Sequence, residues 1–219
     1  MALGRLLHGD PQTTTRGETI GPARAYEVFT AVFFGGRRHR AYSRLVELSG
    51  ARPGDKVLDV GCGTGYLTRL VAAAVVPGGS AVGIDPSPTV IGYARSKAGA
   101  ACTHETGVAE ALNAPDASFD VVVTSLAIHH IPANVRPAAL REMFRVLRPG
   151  GRLLLADFRP PRSRLGRHLI GALTGPAMEH NPVDLLDGLA AEAGFEVRAR
   201  GDVRPHLRYV QAVRPEIVR

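Results

Sequence analysis

The sequence predicts an α/β domain: a mainly parallel sheet covered by helices on both faces. Three observations predict it. Short apolar runs that suit buried strands alternate with amphipathic helical stretches. One such run, Val57–Val60, leads straight into a glycine-rich turn, Gly61-Cys62-Gly63-Thr64-Gly65, and then into an apolar-periodic helix. The 219 residues, 45% hydrophobic and 21% charged, suit one domain, residues 1–219, with a core of its own.

Residues 1–21 are polar and rich in glycine and threonine, and are expected to be poorly ordered. Residues 22–50 read as an N-terminal helical cap, with apolar Tyr26, Phe29, Val32 and Phe33 and a break at Gly35-Gly36. A strand follows at Lys56–Val60. The helix Tyr66–Val76 carries Leu67, Leu70, Val71 and Ala74 on one face. Beyond the turn Pro77-Gly78-Gly79 come a strand at Ala81–Asp85, a helix at Pro88–Ala98 and a weaker strand at Ala101–Glu105. Phe119–Ser125 is a strong buried strand. Asn134–Leu147 is an amphipathic helix that Pro149-Gly150-Gly151 ends, and Arg152–Asp157 is another apolar strand. Residues 158–181 fit no sheet element and read as an insertion near the active site. Asn181-Pro182 reads as an N-cap with proline at the first helical position, opening a helix that stops at Gly194. Phe195–Arg200 and Leu207–Val213 are the last strands.

No apolar run reaches the roughly 18 residues a membrane span needs. The N-terminus MALGRLLHGDPQ lacks a hydrophobic signal region, so a cytoplasmic location is expected. Cys62 and Cys102 belong to no C-x-x-C or Cys/His zinc spacing, and neither a disulfide nor a metal is expected. The net charge is +7. Arg37, Arg38, Arg40 and Arg44 cluster before the first strand, and Arg159, Arg162, Arg164 and Arg167 cluster late. These groups are either a solvated basic surface or an attraction to anionic lipid, acidic substrate or nucleic acid.

The glycine turn carries the chemistry. Small residues between a strand and a helix N-terminus let backbone lie against a ligand. A dinucleotide site wants G-x-G-x-x-G, whereas here Tyr66 stands where the third glycine belongs. Asp59 points a carboxylate into the same space. Asp85 ends the second strand, 20 residues beyond Gly65, where a carboxylate can accept both hydroxyls of a ribose. The alternative for Asp85 is a helix N-cap, since Asp85-Pro86-Ser87 precedes a helix.

Taken in order, VLDVGCGTG, VGIDPS, GVAEALNAPDASFDVVV and LREMFRVLRPGGRLLLAD resemble the class I S-adenosylmethionine-dependent methyltransferases. Within them the chain is similar to the small-molecule group that includes the ubiquinone/menaquinone C-methyltransferases. The resemblance covers Tyr26 to Asp157; the last third matches only in layout. It implies a Rossmann-like seven-stranded sheet of order 3-2-1-4-5-7-6 with strand 7 antiparallel. It implies S-adenosylmethionine as methyl donor and no metal. Gly61, Gly63 and Gly65, with Cys62 among them, would line its methionine and ribose portion. Asp59 would organise the ammonium end, Asp85 the ribose hydroxyls, and Pro86 or Ser87 the adenine face. The family's usual adenine-binding aspartate is replaced by Val108, which leaves Val108 and Ala109 as contacts and Glu110 as a structural cap. Ser125 and Leu126 would lie by the methyl group, and Tyr26 could cover the cofactor.

Methyl transfer from a sulfonium is an in-line displacement in which positioning and desolvation supply most of the acceleration. A base is needed only where the acceptor must lose a proton. His129 and His130 follow the fourth strand and are the catalytic candidates, an unperturbed imidazole titrating near pH 6.5. Packing or hydrogen bonding of the loop is the competing role. Asp157 and His180 are further candidates. The expected partner is a small apolar, aromatic or lipid-like acceptor, with peripheral contact to an anionic membrane through Arg159–Arg167 and the apolar Leu169–Leu173. A nucleic-acid methyltransferase is the alternative, disfavoured because Thr124-Ser125-Leu126-Ala127 replaces the N/D-P-P-Y/F tetrapeptide. A cofactor-binding protein without methylation activity is the other. Oligomeric state is not legible.

Overall fold

The computed structural model describes residues 34, 36–159, 181 and 183–216. The predicted termini, Tyr26, Phe33, His180 and the insertion from 160 to 180 lie outside the described residues.

The elements, in chain order, are α1 (Arg38–Ser49), β1 (Lys56–Val60), α2 (Tyr66–Val75), β2 (Ser80–Asp85), α3 (Pro88–Ser96) and β3 (Cys102–Thr106). Next come β4 (Phe119–Ser125), a 3-10 turn (Ile128–His130), α4 (Arg136–Val146) and β5 (Leu147–Phe158). A second 3-10 turn (Val183–Leu185), α5 (Leu186–Glu192), β6 (Glu196–Val203) and β7 (Leu207–Val213) complete the chain. The strands form one seven-stranded sheet in the order β3-β2-β1-β4-β5-β7-β6. β3, β2, β1, β4 and β5 are parallel; β7 runs antiparallel between β5 and β6. This is the sheet that the family resemblance implies.

The cause is visible in the strand sequences. Successive side chains of a strand point to opposite faces. Val57, Val121, Val123 and Leu154 therefore pack under α1 and α2 with Leu45, Leu67 and Val71. Leu58, Val122, Leu153 and Leu155 pack on the other face against Leu140, Met143 and Val146 of α4 and Leu186 of α5. Continuous apolar runs are what a sheet buried on both faces requires.

Two element readings are corrected. Pro149-Gly150-Gly151 does not cap the helix. α4 ends at Val146, and Leu147 is already extended and in register with Phe119, so the glycines sit inside a bulged start of β5. Asn181 is not an N-cap. The helix proper starts at Leu186, after a 3-10 turn, and the Asn181 amide nitrogen instead donates to Asp157 Oδ1 (2.9 Å) and the Phe158 carbonyl (2.8 Å). The pull of a buried carboxylate outweighs a local cap here.

From β1 the chain crosses to β2 on one side and, later, to β4 on the other. That reversal opens a crevice beyond the carboxyl ends of these strands, where open α/β sheets bind ligands.

Candidate active site

The cleft at this switch point encloses about 1040 Å³ of empty space, its mouth included. Asp59, Gly61, Cys62, Gly63, Asp85, Pro86, Val108, Ala109, Ser125, Leu126 and His130 all line it. Gly65, Ser87 and His129 stand behind the wall rather than in it. Glu110, read as a structural cap, also lines the cleft.

The turn after β1 is held by backbone. The amides of Gly61 and Cys62 both donate to the Ile84 carbonyl, at 2.8 and 3.0 Å, which ties the turn to the end of β2. Gly61 has φ +72, and a Cβ there would lie 2.3 Å from the Ala127 side chain. Only glycine allows both the left-handed backbone and the close approach of the loop after β4. Gly65, the N-cap of α2, also has φ +72, and its missing Cβ would meet the His104 ring at 2.3 Å. On the opposite wall Leu126 adopts φ +56, a sparsely populated conformation for a side-chain-bearing residue. Its amide donates to the Ala156 carbonyl at 2.9 Å.

Two carboxylates converge on the turn. Asp85 accepts from the Gly63 amide through Oδ2 (3.0 Å) and from the Ser87 amide through Oδ1 (2.9 Å). Burial raises its pKa above the ordinary carboxylate value against both of those bonds. The helix cap is supplied separately: Ser87 Oγ accepts from the Val90 amide. Asp59 is 1% exposed, and the Thr68 hydroxyl donates to its Oδ2 at 2.6 Å. Burial pushes its carboxyl from 3.8 up to about 7, the Thr68 bond resisting and the nearby Asp85 charge adding to the rise. Cys62 and Cys102 are buried free thiols, their pKa values raised by burial, that of Cys102 to about 11. Neither is an activated nucleophile. Cys62 acts as a small residue in the turn.

The adjacent histidines have different surroundings. His129 Nδ1 lies 2.7 Å from Asp157 Oδ1, both side chains being at most 1% exposed, and its amide donates to Asp157 Oδ2 at 3.1 Å. Burial would raise the Asp157 carboxyl, but His129, the Phe158 amide and Asn181 outweigh it and hold it below the ordinary value. From the other side Arg136 Nε donates to the carbonyls of Ile128 (3.2 Å) and Ile131 (2.9 Å). The turn is thus gripped from two directions, and it presents His130, Ile131 and Pro132 to the cleft.

Among the lining residues that sequence reasoning missed are Arg38, Tyr42, Tyr66, Ala127, Ile131 and Pro132. Tyr66 was legible as the residue directly after the turn. Arg38 was grouped with basic residues read as a solvated surface or an attraction to an anionic partner, but it is 8% exposed, and its guanidinium carbon sits 3.9 Å from the centre of the Tyr66 ring.

A family model described as a methyltransferase domain matches residues 57–151. A demethylmenaquinone methyltransferase of Symbiobacterium thermophilum is 36% identical over 150 residues, covering 66% of this chain and 59% of that protein. A ubiquinone/menaquinone biosynthesis C-methyltransferase of Ectopseudomonas mendocina is 39% identical, covering 65% and 57%. The chain thus spans less than two thirds of the length of these two relatives. The Vibrio parahaemolyticus protein of the same description is 35% identical over 207 residues, covering 80% of this chain and 77% of the relative. Among solved structures, a SAM-dependent methyltransferase from Aquifex aeolicus superposes with TM-score 0.73 at 18% identity, covering 90% of this chain and 100% of that one. The [4+2]-cyclase SpnF superposes with TM-score 0.65 at 20% identity, covering 81% and 80%. Likeness at that identity speaks for the fold alone. The chain belongs to the class I S-adenosylmethionine-dependent methyltransferases and resembles the ubiquinone/menaquinone C-methyltransferases among them.

Proposed function

We propose that this protein transfers a methyl group from S-adenosylmethionine to an apolar, quinone-type or other aromatic acceptor by in-line displacement. The observation that carries this reading is one cleft holding two strand-end carboxylates about a glycine turn, with Leu126, Ala127, Ile131 and Pro132 on its wall. The residues fit the cofactor. Asp85 keeps lone pairs for ribose hydroxyls beyond its two amide bonds, and buried Asp59, bonded to the Thr68 hydroxyl, is a place an ammonium group suits. Val108 and Ala109 offer an apolar edge to adenine. Bound there, S-adenosylmethionine would supply an electrophilic methyl group, with the neutral thioether as the leaving group. The apolar wall excludes water and orients the acceptor. His130 takes the proton the acceptor loses, and His129 holds the turn that carries it.

Native mass spectrometry of the purified protein should find S-adenosylhomocysteine or S-adenosylmethionine retained at one per chain. With a reduced demethylated quinone as acceptor, methyl transfer should fall about 10²–10⁴-fold in His130→Ala, the range for a lost general base. Its pH dependence should flatten. His129→Ala should lose less rate and more stability. No binding of either nucleoside would sink the whole reading, and unchanged rates across pH in His130→Ala would sink the base.

Exposed Arg37, at the N-cap of α1, and exposed Arg40 within it suit anionic headgroups around a lipid-soluble acceptor. Sedimentation with phosphatidylglycerol vesicles should pull the protein down at low salt and release it at high salt. A protein that stays in the supernatant at low salt overturns the membrane contact.

A further inference from the structure

We infer that a second pocket, between α1 and the turn after β6, is a binding site for a phosphate group. It shares no lining residue with the catalytic cleft and encloses about 810 Å³ of empty space, its mouth included. Buried Ala41 and Val203 form an apolar floor. Three exposed arginines reach the rim from two elements. Arg40 and Arg44 stand four residues apart on α1, so their side chains are neighbours on one helix face. Arg204 comes from the turn between β6 and β7. The acids at the pocket are Glu47 and Asp202, and both are already matched. Glu47 accepts from Arg44 Nη1 at 2.6 Å. Asp202 accepts from Arg159 and, at 3.2 Å, from Arg208 Nε, two arginines that do not line the pocket. The guanidinium groups of Arg40 and Arg204 have no hydrogen bond or ion pair among the described residues.

Charge and shape select the ligand. Like charges four apart on a helix repel, and an anion between them removes that cost. Guanidinium forks match phosphate oxygens bidentately. A carboxylate presents its oxygens in one plane, whereas the tetrahedral phosphate group turns them to several sides, as forks arriving from two elements require. The place in the fold gives the site a use. Phe158 at the end of β5 and Val203 at the end of β6 both pair with Leu207. The turn that carries Arg204 therefore lies at the carboxyl end of β5, the edge of the sheet on which the cleft opens. Helix α1 joins the two sites. Arg38 and Tyr42 line the cleft, while Arg40 and Arg44, each two residues on and so on roughly the opposite side of the helix, line the pocket. A phosphate held there fixes its carrier, a phospholipid or a soluble phosphate, beside the cleft edge. The lipid source rests on the membrane contact proposed above; the phosphate site does not.

The test follows the arginine side-chain N–H signals by NMR while inorganic phosphate is titrated in, with chloride at matched ionic strength as the control. The Nε–H signals of Arg40 and Arg204 should shift to saturation with phosphate, and that of Arg198, exposed on β6 outside the pocket, should not. Arg40→Gln and Arg204→Gln should each weaken phosphate about tenfold, the loss of a charge-assisted hydrogen bond. Both side chains are exposed, so the variants should melt with wild type and methylate a water-soluble acceptor at the wild-type rate. Sedimentation with phosphatidylglycerol vesicles then distinguishes the sources. Vesicle binding that phosphate competes away, and that Arg40→Gln/Arg204→Gln loses while Arg52→Gln/Arg198→Gln keeps it, assigns the site to a lipid headgroup, since both double variants remove the same charge. Vesicle binding that is absent in wild type, kept by the pocket variant or lost alike by both assigns the site to a soluble phosphate; it strikes the lipid source and leaves the saturating phosphate site standing. Shifts that never saturate, or that appear equally at Arg198, would make these arginines a diffuse basic surface and overturn the site.

Discussion

Asp157→Ala is expected to cost about 3–5 kcal/mol of folding stability, because it leaves several buried donors without their acceptor. Asp157 is fully buried and meets four donors: the His129 amide (3.1 Å), His129 Nδ1 (2.7 Å), the Phe158 amide (2.7 Å) and Asn181 Nδ2 (2.9 Å). Alanine strands all of them where water does not reach, and an unsatisfied buried donor costs about 1–3 kcal/mol. Asp157→Asn should be nearly as damaging, because both carboxylate oxygens are accepting and an amide turns one of them into a donor facing an N–H. The pH dependence has a definite sign. The folded carboxyl sits below its ordinary value, so its contribution is complete above the unfolded pKa near 4 and fades as pH falls through the lower folded value. The gap between wild type and Asp157→Ala in urea unfolding should therefore be largest at neutral pH and shrink in acid. A gap below about 1 kcal/mol at pH 7 would show that the network is not what holds the turn.

That network also shows what a sequence can and cannot reveal. β1, β4 and β7 were legible to the residue, because buried strands are written as apolar runs that end at turn residues. Asp59 and Asp85 were legible because each lies at or near the end of such a run, beside the glycine turn. Asp157 and His129 stand 28 residues apart, and nothing local links them. They meet because β4 and β5 are parallel neighbours, with Ser125 opposite Ala156, which puts the residues after one strand over the end of the other. Asn181 was misread for the same reason: a local cap signal lost to a partner that only the sheet brings near. Arg38 was hidden among four like residues. Periodicity shows that one face of α1 is buried, but which arginine turns onto Tyr66 depends on how α1 sits against α2.

Asp59→Asn is expected to stabilise the cofactor-free fold at neutral and alkaline pH while weakening cofactor binding. The Asp59 carboxyl is raised from 3.8 to about 7 by burial, so the folded state holds a proton that the unfolded state has already released. Below the unfolded pKa both states are protonated and the residue costs nothing. Between pH 4 and 7 the fold loses stability as pH rises, by about 1.4 kcal/mol per unit at most, and beyond the folded pKa the loss levels off near 4 kcal/mol as an upper bound. Asparagine has no charge to bury, and its side-chain oxygen still accepts from Thr68. Thermal unfolding of the two proteins should thus agree near pH 4 and diverge toward pH 8, the variant melting higher. Cofactor binding inverts the effect. An ammonium beside Asp59 stabilises the ionised form, so binding of S-adenosylhomocysteine to wild type should release a proton below pH 7 and tighten with pH up to that point. In Asp59→Asn the affinity should be lower and its pH slope reduced. Parallel melting curves from pH 4 to 8 would mean that Asp59 is ionised without cost. An unchanged pH slope of binding would place the ammonium elsewhere in the cleft. Divergent melting curves together with a reduced pH slope of binding in Asp59→Asn would make the destabilising carboxylate the one that holds the cofactor's cationic end.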